Sequence, residues 1–348
     1  MPSGNQADMK EKVGKIIDAL LKSAEPSIRW KTRVNVLSND PAARACRDLQ
    51  REIKRNPRVR ALLSRLGRSG HIVSKRGVYD KWQGAHWVLA ALADIGYPPG
   101  DKSLEPVATD VLDCWLGDYY FREFKPRTPA QIYLKKGVPL IDGRFRRCAS
   151  QQGNALWSLL KLGLGGQRVD QLAERLIHWQ WPDGGWNCDK RPSADTSSFH
   201  ETLLPLRGLA LHARVKKNKA STVAAREAAD VFLRRKMFKR LSDGSVINPE
   251  MVALHYPAYW HYDILAGLKV MAEAGFIGDP RCGEALDLLE AKRLPGGGWP
   301  AEARYYKVSR ALANGTDYAD WGPVSKSKTN EWVSVDALSV LRAAGRLD

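Results

Sequence analysis

The chain has 348 residues, 44% hydrophobic and 27% charged, a balance ordinary for a globular protein that buries a substantial core unaided. Its five cysteines are odd in number and never form a CxxC pair, which argues against a disulfide framework or a simple zinc finger; reduced thiols are expected. The net charge of +17 concentrates polyanions such as nucleic acid, anionic lipid or diphosphate-bearing metabolites without choosing among them, and reads equally as a solvated basic surface.

The N-terminal stretch has no apolar h-region or cleavage site, and no run of apolar residues reaches membrane-spanning length. A cytoplasmic placement is therefore expected, with peripheral membrane contact left open. Residues 10–22 and 41–54 read as amphipathic helices, the second started by Asn39-Asp40-Pro41. Residues 1–75 are accordingly expected to form a helical region packed on a barrel at 76–348.

From residue 81 onward a turn followed by a helix recurs. A weak copy is Lys81-Trp-Gln-Gly-Ala-His-Trp87, continuing apolar to residue 93. Asp142-Gly-Arg-Phe145 leads into 153–163, and Gln180-Trp-Pro-Asp-Gly-Gly-Trp-Asn187 into 202–209. Asp243-Gly-Ser-Val246 leads into 261–270, and Arg293-Leu-Pro-Gly-Gly-Gly-Trp-Pro300 into 332–341 after an insertion at 304–330. Gly supplies the positive φ of each turn, and the aromatic that follows plugs it against a neighbouring helix.

The helices after these turns are apolar around much of their circumference, whereas 169–178 and 224–233 are amphipathic. That contrast predicts inner and outer helices of an all-α fold, an α/α-barrel (toroid) of repeated helical hairpins in a single domain. Basic clusters at 51–60, 144–147, 214–219 and 234–240 read as outer faces and loops, and 304–330 as a candidate lid.

The Gln-x-Pro-Asp-Gly-Gly-Trp turn at 180–186 resembles the Gln-Trp repeat of squalene and oxidosqualene cyclases. It is also similar to the Gly-Gly-Phe turns of protein prenyltransferase β subunits. The segments 81–86, 148–154, 186–189, 197–201 and 256–263 resemble a short bacterial cyclase-like group. The resemblance implies an α/α-barrel with inner-helix N-termini around a cavity, and a terpenoid-cyclase-like or prenyl-transfer-like enzyme.

Two departures matter. In Pro192-Ser-Ala-Asp-Thr196, Ala194 occupies the position of the cyclase acid, although Asp195 and Thr196 match. Asp195 also matches the Asp of the prenyltransferase zinc pair, but Ser197 replaces its thiolate.

With inner-helix N-termini at the cavity, the candidate catalytic residues are Asp195, His200, Glu201, His261 and Asp263, which supply acid and base. The candidate substrate-binding residues are His86, Asn154, Trp186, His255, Tyr256, Tyr259, Trp260, Tyr262 and Glu331, rich in π-faces. No cofactor is required by the pattern. Cys148, Cys188, His200 and His261 are the weak candidates for a divalent metal. The expected partner is a hydrophobic or anionic small molecule, which demands an enclosed cavity of more than roughly 300 Å³. The alternative is a basic helical-repeat protein that binds nucleic acid.

Overall fold

The computed structural model describes residues 4–309 and 313–347. Among them, twelve principal helices alternate between the two walls of a closed ring. The outer wall comprises α1 (Gly4–Leu21), α3 (Arg44–Arg55), α5 (Glu105–Leu116), α7 (Arg168–His178), α9 (Lys219–Leu233) and α11 (Gly283–Ala291). The inner wall comprises α2 (Pro26–Lys31, running on through a π turn at Thr32–Val36), α4 (Ala85–Asp94), α6 (Ala149–Leu162), α8 (Phe199–Lys216), α10 (Ile264–Ala274) and α12 (Glu331–Ala343). From α4 to α12 each inner helix touches the next, and the π turn after α2 touches α12. The ring closes where the Trp30 ring lies over Gly96, just beyond α4, a contact that leaves no room for a Cβ. This is the α/α toroid expected from the hairpin repeat.

The Gly-Gly-Trp turns are structural equivalents. Gly184 and Gly297 adopt φ of 101° and 91°, available to glycine without strain. Trp186 and Trp299 are fully buried, and each donates its indole N–H to a carbonyl ten residues back, Leu176 at 2.9 Å and Leu289 at 2.7 Å. Their backbone N–H groups are received by Thr202 Oγ1 on α8 and Ser334 Oγ on α12, at 3.2 and 2.8 Å. Asp183 adds a lock specific to the first copy: it accepts both the N–H and the hydroxyl of Ser197, at 2.7 and 2.6 Å.

Helices α6 and α8 approach most closely because Gly153 faces the backbone of Leu204 and Pro205, while Gly208 faces the Gly153 carbonyl. Two small sheets decorate the ring. Strand β1 (Glu123–Phe124) pairs parallel with β2 (Val138–Ile141), Glu123 facing Val138, and β2 pairs antiparallel with β3 (Arg144–Phe145), Leu140 facing Phe145. Strands β4 (Lys307–Val308) and β5 (Thr316–Asp317) pair parallel within the insertion. Residues 310–312 of that insertion lie outside the described residues. Among the described residues, no helix is long and apolar enough to cross a membrane.

Candidate functional site

The axis of the ring is closed at mid-depth by charges projecting from five inner helices. Lys31 pairs with Asp336 at 2.7 Å and Asp94 at 3.4 Å, and Lys269 pairs with both carboxylates at 2.8 Å. Arg207 spans Asp94 at 3.2 Å and Glu273 at 2.6 Å, and lies over the Trp157 ring at 3.5 Å. Three cations thus balance three anions. Burial raises the Asp94 carboxyl, but Lys269, Lys31 and Arg207 together hold it well below the usual carboxylate range.

Toward the N-terminal ends of the inner helices, an axial cavity of about 70 Å³ runs from this network to a mouth lined by Asn154, His255, Tyr259 and His261. That is room for roughly half a dozen waters. On the other side, at the helix C-termini, a basin of about 460 Å³ is lined by Lys161, Arg207, Arg214 and Glu273. Cations there complement the carbonyl ends of the helices.

The mouth is built largely by the turn at 254–263. Asp263 caps α10 by accepting the Ala266 N–H at 2.7 Å, and its other oxygen accepts the His255 backbone N–H at 2.8 Å. The same oxygen lies 2.8 Å from His255 Nδ1, with the two side chains 0% and 1% exposed. Burial alone lowers the proton affinity of His255, but Asp263 outweighs it, and the imidazole is held above its ordinary value. His261 is sandwiched between Trp260 at 4.0 Å and Tyr305 at 3.7 Å. Burial, with His255 and His200 nearby, pushes it down to about 3, so it is neutral. Three buried ring nitrogens here have no hydrogen-bond partner among the described residues: His255 Nε2, Trp260 Nε1 and His261 Nδ1.

Tyr256 donates to Asp94 at 2.8 Å and stacks on Trp332, so it belongs to the wall of the cavity. Tyr259 donates to Asp317 and stacks on Trp82 at 3.8 Å. Tyr262 is a core residue, donating to the Met237 carbonyl at 2.5 Å, and Trp186 is likewise enclosed. His86 and Asn154 engage each other at 3.1 Å, and Trp115 donates to His86 Nδ1 at 3.1 Å. Because indole is only a donor, His86 Nδ1 is the acceptor of the Trp115 N–H, and burial pushes the imidazole pKa down to about 3. Glu331 is exposed and accepts from Ser23 at 2.9 Å, and Asp195 is exposed on the loop before α8. His200 meets the edge of Trp260 at 5.7 Å, and burial lowers its pKa.

Glu201 sits elsewhere on the same rim. It accepts the Ser150 N–H at 3.0 Å and the Cys188 thiol at 3.3 Å, and burial raises its carboxyl despite Ser150, Cys188 and Arg147. Cys148, Cys188 and Glu201 bring their ligand atoms within 4.8 Å of one another, a convergence that includes neither His200 nor His261. Arg147, Tyr305 and the axial charges escape a motif-based reading. Two of the axial charges did leave a signal: Lys269 and Asp336 each fall inside a mostly apolar inner helix.

No protein-family model and no curated protein sequence matches the chain. Among solved structures, the chain is similar to the unsaturated glucuronyl hydrolase of Bacillus sp. GL1, responsible for the degradation of glycosaminoglycan, at 14% identity and TM-score 0.45, over 97% of this chain and 96% of that one. At that level the likeness concerns the fold alone. The terpenoid-cyclase-like, prenyl-transfer-like and nucleic-acid-binding expectations are corrected on the geometry of the chain itself. The structure supplies physical reasons. An axial cavity of about 70 Å³ does not accommodate a prenyl chain, and the exposed Asp195 does not reach it. The basic clusters are broken up by ion pairs, Lys216 with Asp170, Arg234 with Asp230, and Lys236 and Lys239 with Glu284.

Proposed function

We propose that the chain is an enzyme that takes the anionic end of a small molecule into the mouth of the ring and transfers a proton through His255. The carrying observation is the fully buried His255, paired through Nδ1 with Asp263 while Nε2 has no partner among the described residues and the ring lines the axial cavity. An unsatisfied donor in so enclosed a place costs about 1–3 kcal/mol unless something occupies it, which is a cost tolerated at sites of function.

As an imidazolium, His255 offers its Nε2–H to a carboxylate, phosphate or developing oxyanion. On transfer it becomes a neutral imidazole whose Nδ1–H remains bonded to Asp263. The Trp260 indole N–H is a second donor at the same turn, and the stacked His261 and Tyr305 rings offer a flat platform beside it. The cavity volume restricts the reacting end to a few heavy atoms, with the rest of the molecule outside. A net charge of +17 raises the local concentration of an anionic substrate.

The test is a panel of chromogenic esters, phosphates and glycosides, each with a carboxylate or phosphate beside the scissile bond. Turnover that drops by about 100-fold or more in His255→Gln supports the reading. Turnover indifferent to His255→Gln and Asp263→Asn would refute it.

A further inference from the structure

Outside the His255 turn, the sulfur atoms of Cys148 and Cys188 and a carboxylate oxygen of Glu201 all lie within 4.8 Å of one another. We propose that these three residues form a binding site for a single thiophilic divalent cation of the Zn²⁺ class. Tetrahedral zinc with Zn–S of about 2.3 Å and Zn–O of about 2.0–2.2 Å sets its ligand atoms roughly 3.5–3.8 Å apart. The observed spacing therefore requires only small side-chain adjustments, and Cys188 Sγ is already 3.3 Å from Glu201 Oε1.

The three ligands come from rigid, separately anchored elements. Cys148 is the residue that precedes α6 at its N-cap, and Glu201 lies in the first turn of α8. Cys188 follows the Gly-Gly-Trp turn whose Trp186 is fully buried. The glycine contact between α6 and α8 sets the distance between the first two. The free oxygen of Glu201 is oriented by the Ser150 N–H at 3.0 Å, the outer-shell support expected of a ligating carboxylate.

Charge supplies a second, independent observation. Arg147 is only 8% exposed, yet its side-chain hydrogen bonds end on the neutral amides of Gln151 and Gln152. Arg147 immediately precedes the proposed ligand Cys148 in the chain. Two thiolates and one carboxylate carry three negative charges, which one divalent cation and the Arg147 guanidinium cancel. The half-buried cluster is neutral with the metal in place. Three protein ligands leave the fourth tetrahedral position for water or a substrate oxygen. Asp195 is exposed and Ser197 is tied to Asp183, so this site is distinct from the Asp-x-Cys arrangement of the prenyltransferases.

The experiment is a titration of the full chain, reduced and freed of metal by chelation, with Co²⁺ alone. One equivalent is expected to produce a near-ultraviolet thiolate-to-cobalt band and intense tetrahedral visible bands, both removed by added Zn²⁺. Cys148→Ser and Cys188→Ser each abolish the band, and Glu201→Gln weakens binding about 10-fold or more. His261→Ala and His255→Gln leave the titration unchanged, which separates this site from the proton-transfer reading. A reduced, folded protein that takes up no Co²⁺ overturns the proposal, as does a band surviving in the double cysteine variant. Should a serine variant fail to fold, protection of Cys148 and Cys188 from alkylation by Zn²⁺ in the unmutated protein gives the same decision: alkylation at an unchanged rate counts against the site.

Discussion

Asp263 receives both the backbone N–H and the ring Nδ1 of His255 on a single oxygen, each at 2.8 Å, within an almost completely enclosed pair. The His255 imidazole is consequently held above the ordinary histidine value, against the effect of its own burial. A group with a raised folded-state pKa contributes stability that is fully present below its unfolded value, near 6.5, and is lost as pH rises through the folded value. Thermal unfolding between pH 5 and 9 should therefore show a decline above pH 6.5 that is reduced in Asp263→Asn. An unchanged pH profile in that variant would mean that Asp263 does not hold the proton.

The axial network makes the opposite prediction at low pH. The Asp94 carboxyl is held well below its ordinary range, so its contribution is present above the unfolded value and lost as pH falls through the folded one. Stability should hold steady down to about pH 4 and fall below it. Asp94→Asn leaves Lys31, Lys269 and Arg207 short of a counter-charge, and a loss of about 3–5 kcal/mol at neutral pH is expected by denaturant unfolding.

Close packing of α6 on α8 depends on Gly153. A Cβ there meets the backbone of Leu204 and Pro205, which cannot swing aside as a flexible side chain would. Gly153→Ala is expected to cost about 1–3 kcal/mol by thermal or denaturant unfolding, and to move Cys148 relative to Glu201. A neutral substitution would show that the two helices are free to slide.

The repeat itself predicts matched energetics. Trp186→Phe and Trp299→Phe each remove an indole from an enclosed turn together with its hydrogen bond to Leu176 or Leu289. Each should cost about 2–4 kcal/mol, and the two losses should agree within about 1 kcal/mol. A large disparity would mean that the turns are equivalent in shape but not in load.

The Gly-Gly-Trp pattern was legible because one backbone requirement, a positive φ at Gly184 and Gly297, restricts the sequence directly. The inner helix at Pro26–Lys31 was not legible. It is short, continues as a π turn, and carries Arg29, Lys31 and Arg33 among its apolar residues, so its charge disguises its burial. Lys31 is enclosed only because Asp94 and Asp336 arrive from distant helices. The apolar run after residue 261 becomes helical only at Ile264, because the chain turns at Pro257 and Tyr259, the latter at φ 48°, and Asp263 supplies the cap. Aromatic and histidine density pointed to 254–263, of which residues 255–259 and His261 line the axial cavity. The meeting of Cys148, Cys188 and Glu201 follows from the spatial neighbourhood of α6 and α8, which residue spacing does not encode.

The most direct test of the central claim is a side-chain ¹⁵N NMR titration of His255, assigned by comparison with His255→Gln. Both ring nitrogens are expected to be protonated at pH 6.5, with a titration midpoint above the free-histidine value of about 6.5 and an Nε2 resonance that shifts when a small carboxylate or phosphate ligand is added. A His255 that is neutral at pH 6.5, titrates below that value and ignores such ligands would contradict that claim.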